Sequence, residues 1–557
     1  MQIVIIGGVA GGMSAAARMR RIDESANIIV LEAGKYVSFA NCGLPYHLGG
    51  EIEKRDSLLL HTPESLRVRA NLDVRVGNYA TAIDRDAKEV EVLADGVTSR
   101  ISYDKLLIAT GASAIVPNIV GADNPAVSTL RTIPELDGVI ERADAAIAGA
   151  AAAGRAPRAT VLGAGFIGLE TVEALRGRGF EVDLVDLADH VLPPIDGDLA
   201  IYLAAELEAN GVRLHLSAAA QEISDAADGG VNVSLSTGES VPADLVVMSV
   251  GVRPNSELAA AAGLELGERG TIKVDENMQT SDPSIWAVGD AVEVGFATGR
   301  RGAVMLAGPA NRQGRSAADA MFGRTVTKQQ PVLGTAVVRV FEQVAAVTGA
   351  GRRELIAAGI DPIVVRLHAE NHAGYYPGAQ MMHMLGFFDP ETGALLGAQA
   401  VGKEGVDKRI DVLATAIRAG MTADDLAELE LTYSPPIGSA KDPVNMMGFV
   451  AQNHLDGFAP LWQPDNLDAA REQGIILDVR NPGEVKGWKL SDSINVPLPE
   501  LRDRVSEVVE AAAGKPVFVH CRSGVRSYLA TRILRNAGVD ARNIAGGELS
   551  LKDVGAN

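Results

Sequence analysis

The sequence predicts a multi-domain α/β protein, and three observations carry that prediction. A strand, glycine turn and helix signature occurs twice. Hydrophobic residues make up 47% of the chain but aromatics only 4%, a mixture of Ala, Val, Ile, Leu and Gly that suits closely packed layers of helix and parallel sheet. Near the C-terminus, short apolar strands alternate with helical stretches. A chain of 557 residues has room for roughly three to five domains.

The first copy of the signature is "QIVIIGGVAGGMSAAARMRR", followed by "IIVLE" ending at Glu32. The second is "ATVLGAGFIGLETVEALRGRGFEVDLVD", ending at Asp186. In each, the glycine turn lets backbone amides approach a pyrophosphate at a helix N-terminus, and the acid closing the next strand can hold a ribose hydroxyl. Gly163, Gly165 and Gly168 complete the three-glycine pattern. The first copy has Gly7, Gly8, Gly11 and Gly12, but Val9, followed by Ala10, stands where the middle glycine belongs. The acid follows the last turn glycine by 20 residues in one copy and 18 in the other, close to the expected spacing of about 20. Two such Rossmann-like halves imply electron flow between two bound dinucleotides.

Further strands enter glycine turns at "YDKLLIATGAS", "ADLVVMSVGVRPN" and "SIWAVGDAVEV". From "GTAVVRVFEQVAAVTG" onward, alternation and hairpin turns predict an α+β domain with an antiparallel sheet. The Pro-, Asn- and Asp-rich "QNHLDGFAPLWQPDN" reads as a linker, and the last ninety or so residues as a small α/β module. The predicted division is residues 1–115 with 253–325 for the first nucleotide, 116–252 for the second, 326–450 for the α+β domain, 451–465 for the linker and 466–557 for the terminal module.

Composition excludes several classes. A net charge of −20 argues against nucleic acid, whose phosphates need clustered Lys and Arg. No stretch is long and apolar enough for a membrane span, and "MQIVIIGG" lacks the basic start of a secretory signal. Two cysteines cannot build a disulfide framework, so the expected compartment is a reducing cytoplasm. No metal site is predicted. One cysteine, Cys42, sits in the turn "SFANCGLPY", too polar and too rich in Gly and Pro for an inert buried thiol.

With "GGVAGG", "SFANCGLPY", "IATGAS", "GAGFIGLE", "AVGDA", "HAGYYPG", "AVGKEGVDKRIDVLATAI" and "LTYSPPIGSAKDPVNMMG" in view, the first 450 residues resemble the single-cysteine branch of the flavoprotein disulfide reductases. "ILDVRNPGE", "INVPL", "VHCRSGVRS" and "IAGG" resemble a rhodanese domain. The whole chain is thus similar to coenzyme A-disulfide reductase–rhodanese fusions, among them NADH-dependent persulfide reductases.

The resemblance implies FAD on Gly7, Gly8, Val9, Ala10, Gly11 and Gly12, with Glu32 at its ribose and Thr110, Gly111, Asp290 and Ala307 along the remainder. It implies a nicotinamide nucleotide on Gly163, Gly165, Gly168, Asp186 and Gly251. A carboxylate at Asp186 suits the 2′-hydroxyl of NADH and repels the 2′-phosphate of NADPH, and "LVDLADH" offers no cation to that phosphate. Cys42 has no second cysteine nearby, position 47 being His, so its sulfur partner must come from the substrate. As a thiolate, favoured by helix N-termini and the flavin, it would attack a disulfide or persulfide. Tyr375, with Tyr376 beside it, and Tyr433 match tyrosines that relatives contribute across a homodimer to protonate the leaving thiolate or position substrate. Arg18, Arg21, Ser38 and Asn41 are the candidates for holding coenzyme A as bound substrate or cofactor.

Cys521 follows an apolar strand and opens a helix. Its loop of consecutive amides makes an anion nest for a persulfide, with Arg522 and Arg526 adding positive potential. Asp478 and Arg480 are read as braces. The expected reaction is FAD-dependent, NADH-driven reduction of coenzyme A disulfide, coenzyme A persulfide or polysulfide at Cys42, coupled to sulfane-sulfur transfer at Cys521. Two alternatives stand beside it. One is an NADH oxidase or peroxidase cycling Cys42 through a sulfenic acid, although Ala10 replaces the histidine that such peroxidases carry. The other is a redox-sensing sulfur carrier.

Overall fold

The computed structural model describes residues 1–227, 229–326 and 329–556. The chain divides into two compact units, residues 1–189 with 208–334 and residues 190–207 with 335–557.

The first unit holds two parallel five-stranded sheets. One runs in the order Ile285–Ala287, Lys105–Ile108, Gln2–Ile6, Asn27–Glu32, Asp73–Val76. Its strands are apolar on both faces because both are covered. Ile3 and Ile5 pack with Met13, Ala16 and Met19 on the side of the helix Ala10–Ile22. Val4, Ile6, Leu106 and Ile108 pack with Ala80, Ile83, Val90 and Val92 of a three-stranded antiparallel sheet on the other side. The helix Ala10–Ile22 lies against Ala307–Met321 at a contact of small residues, where a Cβ on Gly314 would fall 2.3 Å from the Gly11 carbonyl oxygen. The second sheet runs Val212–His215, Glu181–Val185, Arg158–Leu162, Leu245–Met248, Val127–Thr129. Both glycine signatures therefore end the central strand of a parallel sheet, the usual place for a ligand in open α/β sheets.

The second unit contains an antiparallel sheet in the order Ala336–Val340, Gln343–Gly349, Leu395–Gly402, Met381–Phe388, Ile363–Glu370. The helices Val406–Ala419 and Pro443–Leu455 bury Ile410, Leu413, Val444 and Met447 against it. A parallel sheet follows, ordered Leu461–Trp462, Ala541–Ile544, Val517–His520, Ile475–Asp478, Ile494–Asn495.

Two segments differ from the sequence expectation. Residues 190–207, expected inside a nucleotide domain at 116–252, belong to the second unit. Asp196 N–H donates to Gln399 Oε1 at 2.7 Å, Tyr202 stacks on His383 at 3.6 Å, and Asp198 pairs with Arg366. Residues 451–465, expected as a linker, carry the end of the helix Pro443–Leu455 and the edge strand Leu461–Trp462. Among the described residues, no helix is long and apolar enough to cross a membrane.

Candidate functional site

Both glycine turns have the geometry of a dinucleotide cradle. Gly7 and Gly163 stand at φ +109° and +104°, where a side chain would strike the carbonyl of Ala109 or Ser249. A Cβ on Gly12 or Gly168 would lie 2.0 or 1.8 Å from the carbonyl oxygen opening its own turn, so these glycines allow helix and strand to pack. Gly165 differs: a Cβ there would meet no protein atom within 4 Å. Protein packing does not demand glycine at that place, whereas close approach by a pyrophosphate does. The residues therefore fit a dinucleotide at each turn.

The acids stand at the turn mouths. Glu32 accepts from Gly8 N–H at 2.8 Å and Gly34 N–H at 2.7 Å. Asp186 accepts from Ala164 N–H at 2.5 Å and Ala188 N–H at 2.7 Å. Asn255 pins the turn after the strand Lys105–Ile108, donating to Thr110 O at 2.9 Å while its own backbone oxygen accepts from Thr110 Oγ1 at 2.6 Å. Gly111 and Gly251 both have positive φ, and Asp290 sits in the turn Gly289–Ala291 paired to Arg131 at 2.8 Å.

Cys42 lies in the short turn Asn41–Gly43, which enters the helix Leu44–Leu48. Its exposed thiol opens on a cavity of about 1220 Å³ that it shares with Val9, Ala10, Ser38, Asn41 and Ala307. One cavity thus joins the first glycine turn, the start of the helix Ala307–Met321 and the cysteine. Arg18, Arg21, His61, Arg69 and Arg315 also line it. Arg18 arrives already paired with Asp319 at 2.7 Å, while Arg21, Arg69 and Arg315 are exposed. Asn41 is tied back by its Nδ2 donating to Arg131 O at 2.5 Å. His61, Arg69 and Arg315 escaped sequence reasoning because each belongs to an unremarkable local run; only the fold gathers them.

Partial burial is the main force on the Cys42 thiol and pushes its pKa up. The Glu170 carboxylate adds to this, Arg131 opposes it, and Asp290 adds a smaller push in the same direction. Burial and the two carboxylates thus oppose ionisation of the thiol among the protein atoms alone, and the helix Leu44–Leu48 that it precedes spans only five residues.

In the second unit, the Tyr375 and Tyr433 hydroxyls meet at 3.0 Å on an exposed surface, and Tyr376 packs edge-on to His372. The bond from Tyr433 raises the Tyr375 pKa. Cys521 is buried, with its Sγ accepting from Gly524 N–H at 3.2 Å and Ser527 Oγ at 3.3 Å. Gly546 and Gly547 open the helix Gly547–Asp553 beside the loop, where Glu548 N–H donates to Cys521 O at 2.7 Å. Arg480, fully buried, joins Asp478 at 2.6 Å to Glu548 at 2.6 Å and braces the loop from beneath. Arg522 is exposed, whereas Arg526 is held by Glu484. Sequence reasoning gave Glu484 no role, although it lies in the quoted "ILDVRNPGE".

Family models agree with this arrangement. Residues 1–314 match the pyridine nucleotide-disulphide oxidoreductase model. The chain belongs to that family. It is an oxidoreductase, with a pyridine nucleotide-disulphide oxidoreductase dimerisation domain matching residues 335–442 and a rhodanese-like domain matching 462–550. A coenzyme A disulfide reductase of Staphylococcus aureus is 33% identical over 454 residues, covering 81% of this chain and all of that protein. The crystal structure of reduced Bacillus anthracis CoADR-RHD superposes with a TM-score of 0.94 at 42% identity, covering 99% of this chain and 98% of that one. An NAD-dependent persulfide reductase from A. fulgidus gives a TM-score of 0.90 at 38% identity, covering 99% of this chain and all of that one. These likenesses extend over both units of this oxidoreductase.

Proposed function

We propose that this protein uses NADH and bound FAD to reduce coenzyme A disulfide or coenzyme A persulfide at Cys42, with Cys521 carrying sulfane sulfur. The observation that supports this most is the shared cavity: one exposed thiol, with no second cysteine beside it, opens into the space reached by the first glycine turn. FAD, when bound, relays two electrons from the nicotinamide to sulfur.

The chain's own residues divide the remaining work. Cys42 as thiolate attacks the disulfide, forming Cys42–S–S–CoA and releasing one coenzyme A thiolate. Two electrons then break the mixed disulfide, freeing the second thiolate and regenerating Cys42; two protons complete the thiols. With a persulfide, Cys42 takes the sulfane sulfur, coenzyme A leaves as thiol, and reduction releases sulfide. Tyr375 and Tyr433 supply the proton or hydrogen bond for the leaving thiolate, working in a homodimer. Arg21, Arg69 and Arg315 offer cations to the coenzyme A phosphates, and Asp186 selects NADH through the 2′-hydroxyl. At Cys521, the Gly524 amide and Ser527 hydroxyl hold sulfur charge.

Anaerobic NADH oxidation by Cys42→Ser with coenzyme A disulfide tests the reading. Loss of turnover with normal flavin content is expected; undiminished turnover overturns it.

A further inference from the structure

The helix Gly547–Asp553 joins two sets of contacts that the reductase reading does not use. Its first turn lies on the Cys521 loop. Glu548 N–H donates to Cys521 O at 2.7 Å and Leu549 N–H to Arg522 O at 3.0 Å. A Cβ on Gly547 would fall 2.5 Å from Cys521 O, so glycine there lets helix and loop touch. In a planar trans peptide the N–H points away from the C=O. A grip on these two oxygens therefore also sets the direction of the Arg522 and Ser523 amides.

The rest of the helix is held by side chains outside the terminal module but within the same compact unit. Ser550 Oγ meets His368 Nε2 at 2.8 Å, and the Asp553 carboxylate accepts from the Tyr202 hydroxyl at 2.9 and 3.0 Å. The two holders are themselves joined. His368 Nδ1 meets His383 Nδ1 at 2.8 Å, and His383 stacks on Tyr202 at 3.6 Å. Ser550, His368, His383, Tyr202 and Asp553 thus form a closed ring that starts and ends on one helix. Burial keeps both imidazoles neutral, pushing His368 down to about 3 and His383 to about 4, so a single proton lies between the facing nitrogens. Burial also raises Asp553 to about 6, which leaves a carboxylate for Tyr202 at neutral pH. Gly546 makes room for the ring: a Cβ there would fall 1.9 Å from Ser550 Oγ and 2.9 Å from His368 Nε2. The two glycines of "IAGG" therefore serve the loop on one side and the ring on the other.

We propose that His368 and Tyr202 are positioning residues for Cys521: the ring fixes the helix Gly547–Asp553, and the helix fixes the loop that presents the thiol to sulfur. The inference rests on the reading of Cys521 as the sulfur carrier and adds to it the residues that aim its loop.

The test follows modification of Cys521 by methyl methanethiosulfonate against pH in the flavin-loaded full chain, read by peptide mass. With the ring broken, the loop amides lose their aim and stabilise the thiolate less. Tyr202→Phe and His368→Leu should each raise the midpoint pH for Cys521 by about half a unit, the direction set by weaker hydrogen bonding to the charged form, while that for Cys42 stays constant. His368→Gln, whose amide can reach Ser550, should keep the wild-type midpoint. A less stable fold with the loop unchanged would move none of these values. An unmoved midpoint in Tyr202→Phe or in a folded His368→Leu, or a shift in His368→Gln as large as in His368→Leu, overturns the proposal. Tyr202→Phe keeps the stack on His383 and decides alone where His368→Leu does not fold. Thiol modification needs no sulfur transfer, so failure of the ring and failure of the carrier reading are distinguishable.

Discussion

Arg526 grips Glu484 through two bonds, Nη1 to Oε2 at 2.7 Å and Nη2 to Oε1 at 2.6 Å. The arginine beside the buried thiol is thereby fixed in direction by a carboxylate 42 positions away. It also explains why Glu484 titrates low, at about 2 against an ordinary 4.5, the hydrogen bond from Arg526 being the largest cause. A depressed folded-state pKa stabilises the fold above the unfolded value and loses that stabilisation as pH falls through the folded one. The pair is therefore expected to contribute fully above pH 4.5 and progressively less towards pH 2. Glu484→Gln should cost about 1 kcal/mol near neutrality and nothing at the acid end, read as the difference in urea midpoints with the wild type across that range.

Glu170 bears on the other thiol. It accepts from the Tyr46 hydroxyl at 2.9 Å, and after burial it is the strongest influence raising the Cys42 pKa. Glu170→Gln keeps shape and removes the charge. The midpoint pH for Cys42 alkylation in the holoenzyme should fall relative to wild type; a rise would contradict the electrostatic account.

Asp186 should govern the choice of nucleotide. Asp186→Ala removes the acceptor for the 2′-hydroxyl and the repulsion of a 2′-phosphate together. The KM for NADH is expected to rise about tenfold, the scale of a hydrogen bond to a charged group, while the ratio of kcat/KM for NADH over NADPH narrows. Steady-state kinetics with both nucleotides checks this.

The Tyr375–Tyr433 contact predicts coupling. If the two hydroxyls act as one proton-handling unit, Tyr375→Phe and Tyr433→Phe should each lower disulfide turnover by about tenfold or more. The double variant should be little worse than either single one. Strict multiplicativity would show that the pair does not act jointly.

Local features were legible in the sequence because they are local. The Gly7 and Gly163 turns, the strands ending at Glu32 and Asp186, and the loop Cys521–Gly524 each follow from short-range backbone chemistry. Pairings across the chain were not: Arg131 meets Asp290 over 159 positions, Arg526 meets Glu484, and Asn543 meets Gly524. Periodicity specifies which face of an element is buried but not what lies opposite. Residues 451–465 misled for a related reason. Their Pro, Asn and Asp content reads as a linker, yet Asp442 caps the helix Pro443–Leu455 and Leu461–Trp462 pairs with Asn543–Ile544. At Cys42 burial is the largest influence against ionisation, and the carboxylates that add to it, Glu170 and Asp290, come from far along the chain, where no local pattern announces them.

The central claim is that one unpaired thiol takes sulfur only from outside the chain. Intact-mass analysis after mixing the oxidised holoenzyme with coenzyme A disulfide, before NADH is added, tests it most directly. A single coenzyme A adduct is expected on the wild type and on Cys521→Ser, absent from Cys42→Ser and discharged by one equivalent of NADH. An adduct that survives in Cys42→Ser, or one on Cys42 that NADH fails to discharge, would contradict the account.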